Sequence, residues 1–148
     1  MKGILMRCAL GMIIALLIPA AVPAMAEQAG TTSTGRCVNA ARADAIVTLA
    51  GRLERKEFPA NADLNQSATH AFILHLPRMI CFEDGEFADG SERFDRVHVI
   101  ATTPQIAAQF TRAVGQTITV AGPAMGAHTA HHRAPMVLRV ERVTQTEK

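Results

Sequence analysis

Three histidines lie within five positions of the segment HTAHHRAP, residues 128–135. Imidazole nitrogens bind Zn, Cu and Ni, and a loop can turn neighbouring rings toward one point. His128, His131 and His132 are therefore candidate ligands of a transition-metal ion. The H-x-x-H-H spacing is much less specific than the helical H-E-x-x-H pattern, and no acidic residue adjoins it. A polar loop that contacts an organic or peptide ligand is the alternative interpretation.

Two further residues are candidates for ligand contact. His75 lies in the alternating segment AFILHL, residues 71–76, on the face opposite its phenylalanine and leucines. We therefore expect His75 to point away from the apolar core. Arg52 belongs to a basic cluster, residues 52–56, that could contact an anionic group. The predicted ligand-binding residues are His75, His128, Thr129, His131, His132 and Arg52.

No catalytic set is apparent. Ser67 and Ser91 lie in polar segments without the G-x-S-x-G pattern of a nucleophile elbow, and no general base stands out. The acidic tract EDGEFADGSERFD, residues 83–95, lacks the D-x-[DN]-x-[DN]-G order of a calcium loop, which favours a solvated, turn-rich connection. We therefore predict a binding protein without enzymatic activity.

The first residues have the pattern of an export signal. Lys2 and Arg7 precede an apolar run, and Ala24-Met25-Ala26 resembles a cleavage site. Prolines interrupt the run, so we expect no retained membrane anchor. The expected organisation is a signal peptide over residues 1–26, a flexible leader over 27–44 and one domain over 45–144, in a periplasmic or secreted protein.

Removal of the signal leaves a chain without net formal charge. Lys2 and Arg7 are lost with no acid, so the 15 basic residues fall by 2 to 13, against 13 acidic residues. The chain also has no Trp and no Tyr on which nucleotide bases could stack. We therefore expect no nucleic-acid partner, and instead a small ligand or an envelope protein.

The cysteines predict one disulfide. Cys8 is lost with the signal, which leaves Cys37 and Cys81 in an oxidising compartment. Closing a loop of roughly 45 residues should stabilise the fold by about 3 to 4 kcal/mol. A redox-active or metal-binding pair is the alternative, but the C-x-x-C spacing is absent.

Five segments alternate apolar and polar residues and are predicted strands. The fifth should face inward through Met136, Leu138 and Val140. Pro77 interrupts the second, which predicts either a bulge or an edge strand. The five strands cover residues 46–55, 71–82, 96–101, 116–122 and 136–143.

One helix is predicted between the third and fourth strands. It should begin after Thr103, with Pro104 in its first turn, and end at Gly115. Its apolar stripe would be Ile106, Phe110 and Val114.

This order is typical of the OB-fold, a mainly β, five-stranded barrel with one short α-helix between strands three and four. In that fold, ligands bind across strands two and three, between the loops that join strands one to two and four to five. The segment HTAHHRAP lies in the second of these loops, so the contact surface is predicted there and on the second strand.

The segments TLAGRLERKEFP, FILHL, ICF and GPAMGAHTAHHRAPMVL together resemble a family of exported bacterial proteins, the domain of unknown function 4431. The resemblance runs from about residue 47 to residue 140. It rests on His75-Leu76, Ile80-Cys81 and the histidine tract, whereas Gly126 and Arg133 stand where the family pattern has further histidines. The resemblance implies an OB-like barrel and implies no particular activity.

Overall fold

The structure is a computed structural model that describes residues 37–61 and 67–145. The predicted signal peptide and most of the predicted leader lie outside the described residues. The elements in chain order are β1 (Val38–Asn39), β2 (Val47–Phe58), β3 (Thr69–Glu83), β4 (Asp89–Ala101), α1 (Pro104–Ala113), β5 (Thr117–Gly122), β6 (Ala124–Gly126), β7 (Met136–Val140) and β8 (Arg142–Gln145).

The strands form one sheet in the order β6-β7-β4-β3-β2-β5-β8, and β1 pairs with β3 outside this path. Strands β4 and β7 are parallel, whereas β2 pairs antiparallel with both β3 and β5. A mainly β fold with one short helix is thus confirmed, but the sheet has eight strands where five were predicted. The difference arises because β1 and β6 lie outside the predicted strands, and because Glu141 divides the fifth predicted strand into β7 and β8.

Strands β3 and β4 form a longer hairpin than predicted. Strand β4 begins at Asp89, so most of residues 83–95, predicted as a connection, is strand and only residues 84–88 form the turn. Strand β3 runs through Pro77, and its pairing with β4 shifts register between His75 and Ile80. Of the two alternatives for Pro77, the structure therefore has the bulge.

Helix α1 begins as predicted. The Thr103 hydroxyl accepts a hydrogen bond from the Ile106 amide at 3.3 Å, and Pro104 occupies the first turn. At the other end the prediction for Val114 is wrong, because this residue follows the helix and is exposed, while Ala113 is buried in its place. No helix in the described part of the chain is long and apolar enough to cross a membrane.

The main core lies between the inward face of the sheet and α1. The predicted inward residues Met136, Leu138 and Val140 are fully buried, and the ring of Phe110 on α1 packs edge-on against Phe72 at 5.2 Å. Each such side chain contributes roughly 1.5–3 kcal/mol through burial. The opposing residues of the other strands include Leu53, Leu74, Val97 and Ile118.

Two glycines allow close approaches between strands. A Cβ at Gly51 would collide with the carbonyl oxygen of His75, and one at Gly122 would collide with that of Arg139. Glycine is therefore required at these two places, where neighbouring backbones converge.

The predicted disulfide is confirmed. Cys37 and Cys81 are bonded, with their Cα atoms 4.5 Å apart. The bond holds β1 beside the end of β3, where Val38 pairs with Phe82 in parallel. The chain therefore joins the sheet at residues 37–39, within the segment predicted as a leader.

The disulfide should account for a large share of the stability. Replacing both Cys37 and Cys81 with serine is expected to lower the free energy of unfolding by about 3 kcal/mol, because the 44-residue separation is no longer closed in the unfolded chain. Urea denaturation measures the change. Dithiothreitol should destabilise the native protein similarly and leave the double variant unaffected; a native protein insensitive to reductant would contradict this expectation.

Candidate functional site

The segment 128–135, here called the histidine loop, connects β6 to β7 and is closed at its base. The Ala127 amide donates to the Pro135 carbonyl at 2.8 Å, and within the loop the His132 amide donates to the Thr129 carbonyl at 3.1 Å. His128 Nδ1 lies 3.1 Å from the Gly126 carbonyl oxygen. Because a carbonyl only accepts, this nitrogen carries the proton and Nε2 of neutral His128 is left with the lone pair.

Two of the loop histidines contact each other. The rings of His128 and His132 meet edge to face with centroids 4.7 Å apart, and the His128 amide donates to His132 Nδ1 at 3.1 Å. On its other side, the His128 ring stacks on Phe87 at 4.1 Å with an interplanar angle of 19°. The loop is thereby joined to the turn between β3 and β4.

The loop also covers part of the outer face of the sheet. Strand register places Ile73, His98 and Val137 in one row, on the face opposite the main core. All three are nevertheless buried. The Arg133 amide donates to His98 Nδ1 at 3.4 Å, and the His132 ring lies 6.5 Å from that of His98. These contacts place the loop against His98, in the middle of the row.

Burial holds His98 neutral. Desolvation lowers the pKa of this imidazole from 6.5 to about 4, with further contributions from the positive charges of His132 and Arg133. Desolvation also lowers the pKa of His132, assisted by His128 and His131. The bond from the Arg133 amide needs an unprotonated His98 Nδ1, so the loop contact and the neutral form of His98 support each other.

Sequence reasoning missed His98. The segment RVHVIA, residues 96–101, alternates so that His98 falls on the face opposite Val97 and Val99. That alternation was a usable signal for an outward histidine. The sequence did not indicate that the histidine loop would cover this position.

The far side of the loop contacts the end of β2. The Arg133 guanidinium lies over the ring of Phe58, 4.7 Å from its centroid, in cation–π geometry. The histidine loop thus touches the end of β2 through these residues.

Asp84 links the histidine loop to the acidic segment, which we define as residues 84–92. Its Oδ1 accepts from the amides of Glu86, Phe87 and Ala88 at 2.8–3.0 Å, and its Oδ2 accepts from the Gly126 amide at 2.6 Å. Burial alone would raise the pKa of Asp84, but the four amide donors outweigh it and lower the pKa to about 2. A signal for the turn was present, since Asp before Gly favours one, but the bond to Gly126 was not predictable.

Of the predicted contact residues, His75 and Arg52 form a second group. They face each other across β2 and β3, and His75 Nε2 lies 2.6 Å from Glu54 Oε2. Arg52 Nε donates to the Gly115 carbonyl at 3.2 Å. The structure therefore brings His128 and His132 together and pairs His75 with Arg52 elsewhere. Thr129 and His131 are exposed on the loop.

The predicted metal set does not converge in this conformation. Within residues 37–61 and 67–145, no three side chains of His, Cys, Asp or Glu are grouped as a metal site requires. The physical reason is visible at His132, whose Nδ1 accepts a backbone amide, so that Nε2 of the neutral ring carries the proton. Metal binding by His128, His131 and His132 would need the loop to rearrange.

A cleft of about 570 Å³ opens between the acidic segment and the base of the histidine loop. Its volume is within the range of small-molecule sites. The lining residues are Phe82, Gly85, Glu86, Phe87, Ala88, Asp89, Gly90, Ser91, Glu92, Phe94, Ala127 and Pro135.

Comparison with known families gives a match to part of the chain. Residues 96–144 match the family model of a domain of unknown function, DUF4431. The matched segment runs from within β4 to β8 and includes His98 and the whole histidine loop. This match confirms, over residues 96–144, the family to which the sequence was compared. No curated protein matches the chain.

The buried imidazole predicts a pH-dependent stability. The folded pKa of His98 lies below the value of 6.5, so its contribution is fully present above that pH and is lost as the pH falls toward about 4. Between pH 7 and pH 5 the loss should be on the order of 2 kcal/mol. Urea denaturation of the native protein and of His98→Gln at both pH values measures it.

Other groups also titrate in this range, so the variant is the control. His98→Gln is expected to show a smaller loss between pH 7 and pH 5 than the native protein, whereas His70→Gln, which removes an exposed histidine, should keep the native loss. Equal losses in all three proteins would show that His98 is not the responsible group.

Proposed function

We propose that the sheet is an OB-type barrel that closes through two bent strands. Segments β5 and β6 are separated only by Pro123, and β7 and β8 only by Glu141. Hydrogen bonds cross both bends, from the Arg139 amide to the Pro123 carbonyl and from the Glu141 amide to the Ala121 carbonyl, each at 2.9 Å. If each bent pair is counted as one strand and the two-residue β1 is set aside, five strands result, with the helix between the third and fourth. The parallel pair β4–β7 then joins the third strand to the fifth, as in an OB-fold.

On that fold, the protein is an exported, non-enzymatic binding module. Its contact surface consists of the histidine loop and the outer face of β3 beside it. Export is supported by the Cys37–Cys81 disulfide, because such bonds persist mainly in oxidising compartments. Non-enzymatic binding is the role that OB-type loops and faces most often perform.

One observation carries this proposal: the histidine loop is fixed at three places. His128 is stacked on Phe87, the Arg133 amide is bonded to His98, and the Arg133 guanidinium lies over Phe58. A loop held in this way loses little conformational entropy when a ligand binds, which favours affinity. Between these anchors Thr129 and His131 remain exposed and are free to contact a ligand.

A transition-metal ion is the second candidate ligand. It is favoured by the orientation of His128, whose Nδ1 donates to a backbone carbonyl and leaves Nε2 as the lone-pair donor. This is the common arrangement of metal-bound histidines. His131, which is exposed, is the second ligand that a small loop movement would bring to the ion.

A thermal-shift panel tests the module. Oligosaccharides, short peptides, organic cations and anions, and Zn²⁺, Cu²⁺ and Ni²⁺ are each added to the native protein and to the double variant Thr129→Ala/His131→Ala. At least one organic probe is expected to raise the melting temperature of the native protein by about 3 °C or more and to lose this effect in the variant. Arg112→Ala, on the exposed face of α1, should respond like the native protein.

The panel also separates the two candidates. A shift confined to the metal ions and abolished by His128→Ala would favour metal binding over the organic ligand. If no probe shifts the native protein, or if the loop variant responds as the native protein does, the proposed contact surface is wrong.

A further inference from the structure

The charged side chains described in the cleft beside the histidine loop are all acidic. Among the described residues that line it, the charged side chains are Glu86, Asp89 and Glu92, and none is Lys or Arg. The guanidinium of Arg93 donates to the Met79 carbonyl at 3.5 Å. Asp89 stays ionised, because the Ser91 hydroxyl and amide donate to its Oδ1 at 2.6 and 2.9 Å. The cleft therefore favours a cationic occupant.

The walls between the carboxylates are aromatic. Phe82 and Phe94 are buried and supply an apolar floor, while Phe87 is 47% exposed and lines the opening. Stacking of Phe87 on His128 fixes the position of its ring before any ligand arrives. Aromatic faces beside carboxylates attract ammonium groups and at the same time accept the methylenes that join them.

We propose that this cleft binds a linear aliphatic polyamine, with its ammonium groups near Glu86 and Glu92 and its methylenes against the exposed ring of Phe87. The inference rests on the proposed function, since it assigns a ligand class to a groove that Ala127 and Pro135, at the base of the histidine loop, also line. A chain with several ammonium groups can pair with more than one of Glu86, Asp89 and Glu92, which a singly charged cation cannot. The volume of about 570 Å³ accommodates such a chain.

Calorimetry with defined probes tests the proposal. Spermidine and 1,4-diaminobutane are titrated into the purified protein at low and high salt, with 1,4-butanediol as the uncharged analogue and trilysine as a peptide cation. Spermidine is expected to bind at least tenfold more tightly than the diamine, with affinity falling as salt rises. The diol should not bind.

Variants then locate the site. Glu86→Gln/Glu92→Gln is expected to weaken spermidine binding at least tenfold, and Phe87→Leu to weaken it severalfold. Asp95→Asn removes a charge from the same acidic tract outside the cleft lining and should leave the affinity within twofold of the native value. If Asp95→Asn weakens spermidine binding as much as the double variant does, the binding depends on overall charge and the proposed site is wrong. If trilysine binds more tightly than spermidine, the polyamine is not the preferred ligand.

The failure of this inference differs from failure of the proposed function. If spermidine does not bind but another organic probe of the thermal-shift panel depends on Thr129 and His131, only the polyamine site is refuted. If the panel yields no loop-dependent ligand either, the binding module itself is refuted.

Discussion

The arrangement of the candidate site depends on one carboxylate. Asp84 accepts hydrogen bonds from four backbone amides, three in its own turn and one at Gly126, the last residue of β6 before the histidine loop. These donors compensate the cost of burying the charge, and they fix the turn and the loop relative to each other. Phe87 lies in that turn and stacks on His128, so the cleft and the loop share this support.

The second constraint is the buried row on the outer face of the sheet. Ile73 and Val137 are removed from water on a face that the alternation of the strands would leave exposed, and the histidine loop contacts His98 between them. His98 is buried beside them, and burial disfavours its protonated form, as its lowered pKa indicates. The position of the loop is therefore coupled to pH. The Asp84 carboxylate, by contrast, becomes protonated only as the pH falls below its ordinary pKa toward about 2.

Local patterns in the sequence predicted most helices and strands, but they did not predict where strands break or which distant strands pair. The cap at Thr103 and the inward faces of the strands follow from spacing alone, and the disulfide follows from the two cysteines that remain after the predicted signal peptide. The addition of β6 after Pro123 and the division of the fifth predicted strand at Glu141 depend on how the sheet bends, which no local pattern encodes. The position of β1 likewise depends on a distant partner, the end of β3.

The site shows the same limit. The histidine tract was recognised from its composition, but the rings it contacts are distant in sequence. Phe87 precedes His128 by 41 residues, and His98 precedes His132 by 34 residues. Asp84 is one of six acidic residues in a tract whose composition predicts a solvated segment. Its bond to the Gly126 amide, which distinguishes it from Asp95, follows from the fold. Long-range contacts of this kind are decided by topology.

Amide hydrogen exchange in two Asp84 variants tests the central role of this carboxylate most directly. In Asp84→Ala, exchange at Phe87 and at Gly126 should both accelerate about tenfold or more, while Val120 in β5 keeps its native rate. In Asp84→Asn, the side-chain oxygen can still accept from the turn but the amino group cannot accept from Gly126, so Gly126 alone should accelerate. Native exchange rates at Gly126 in both variants would contradict the account.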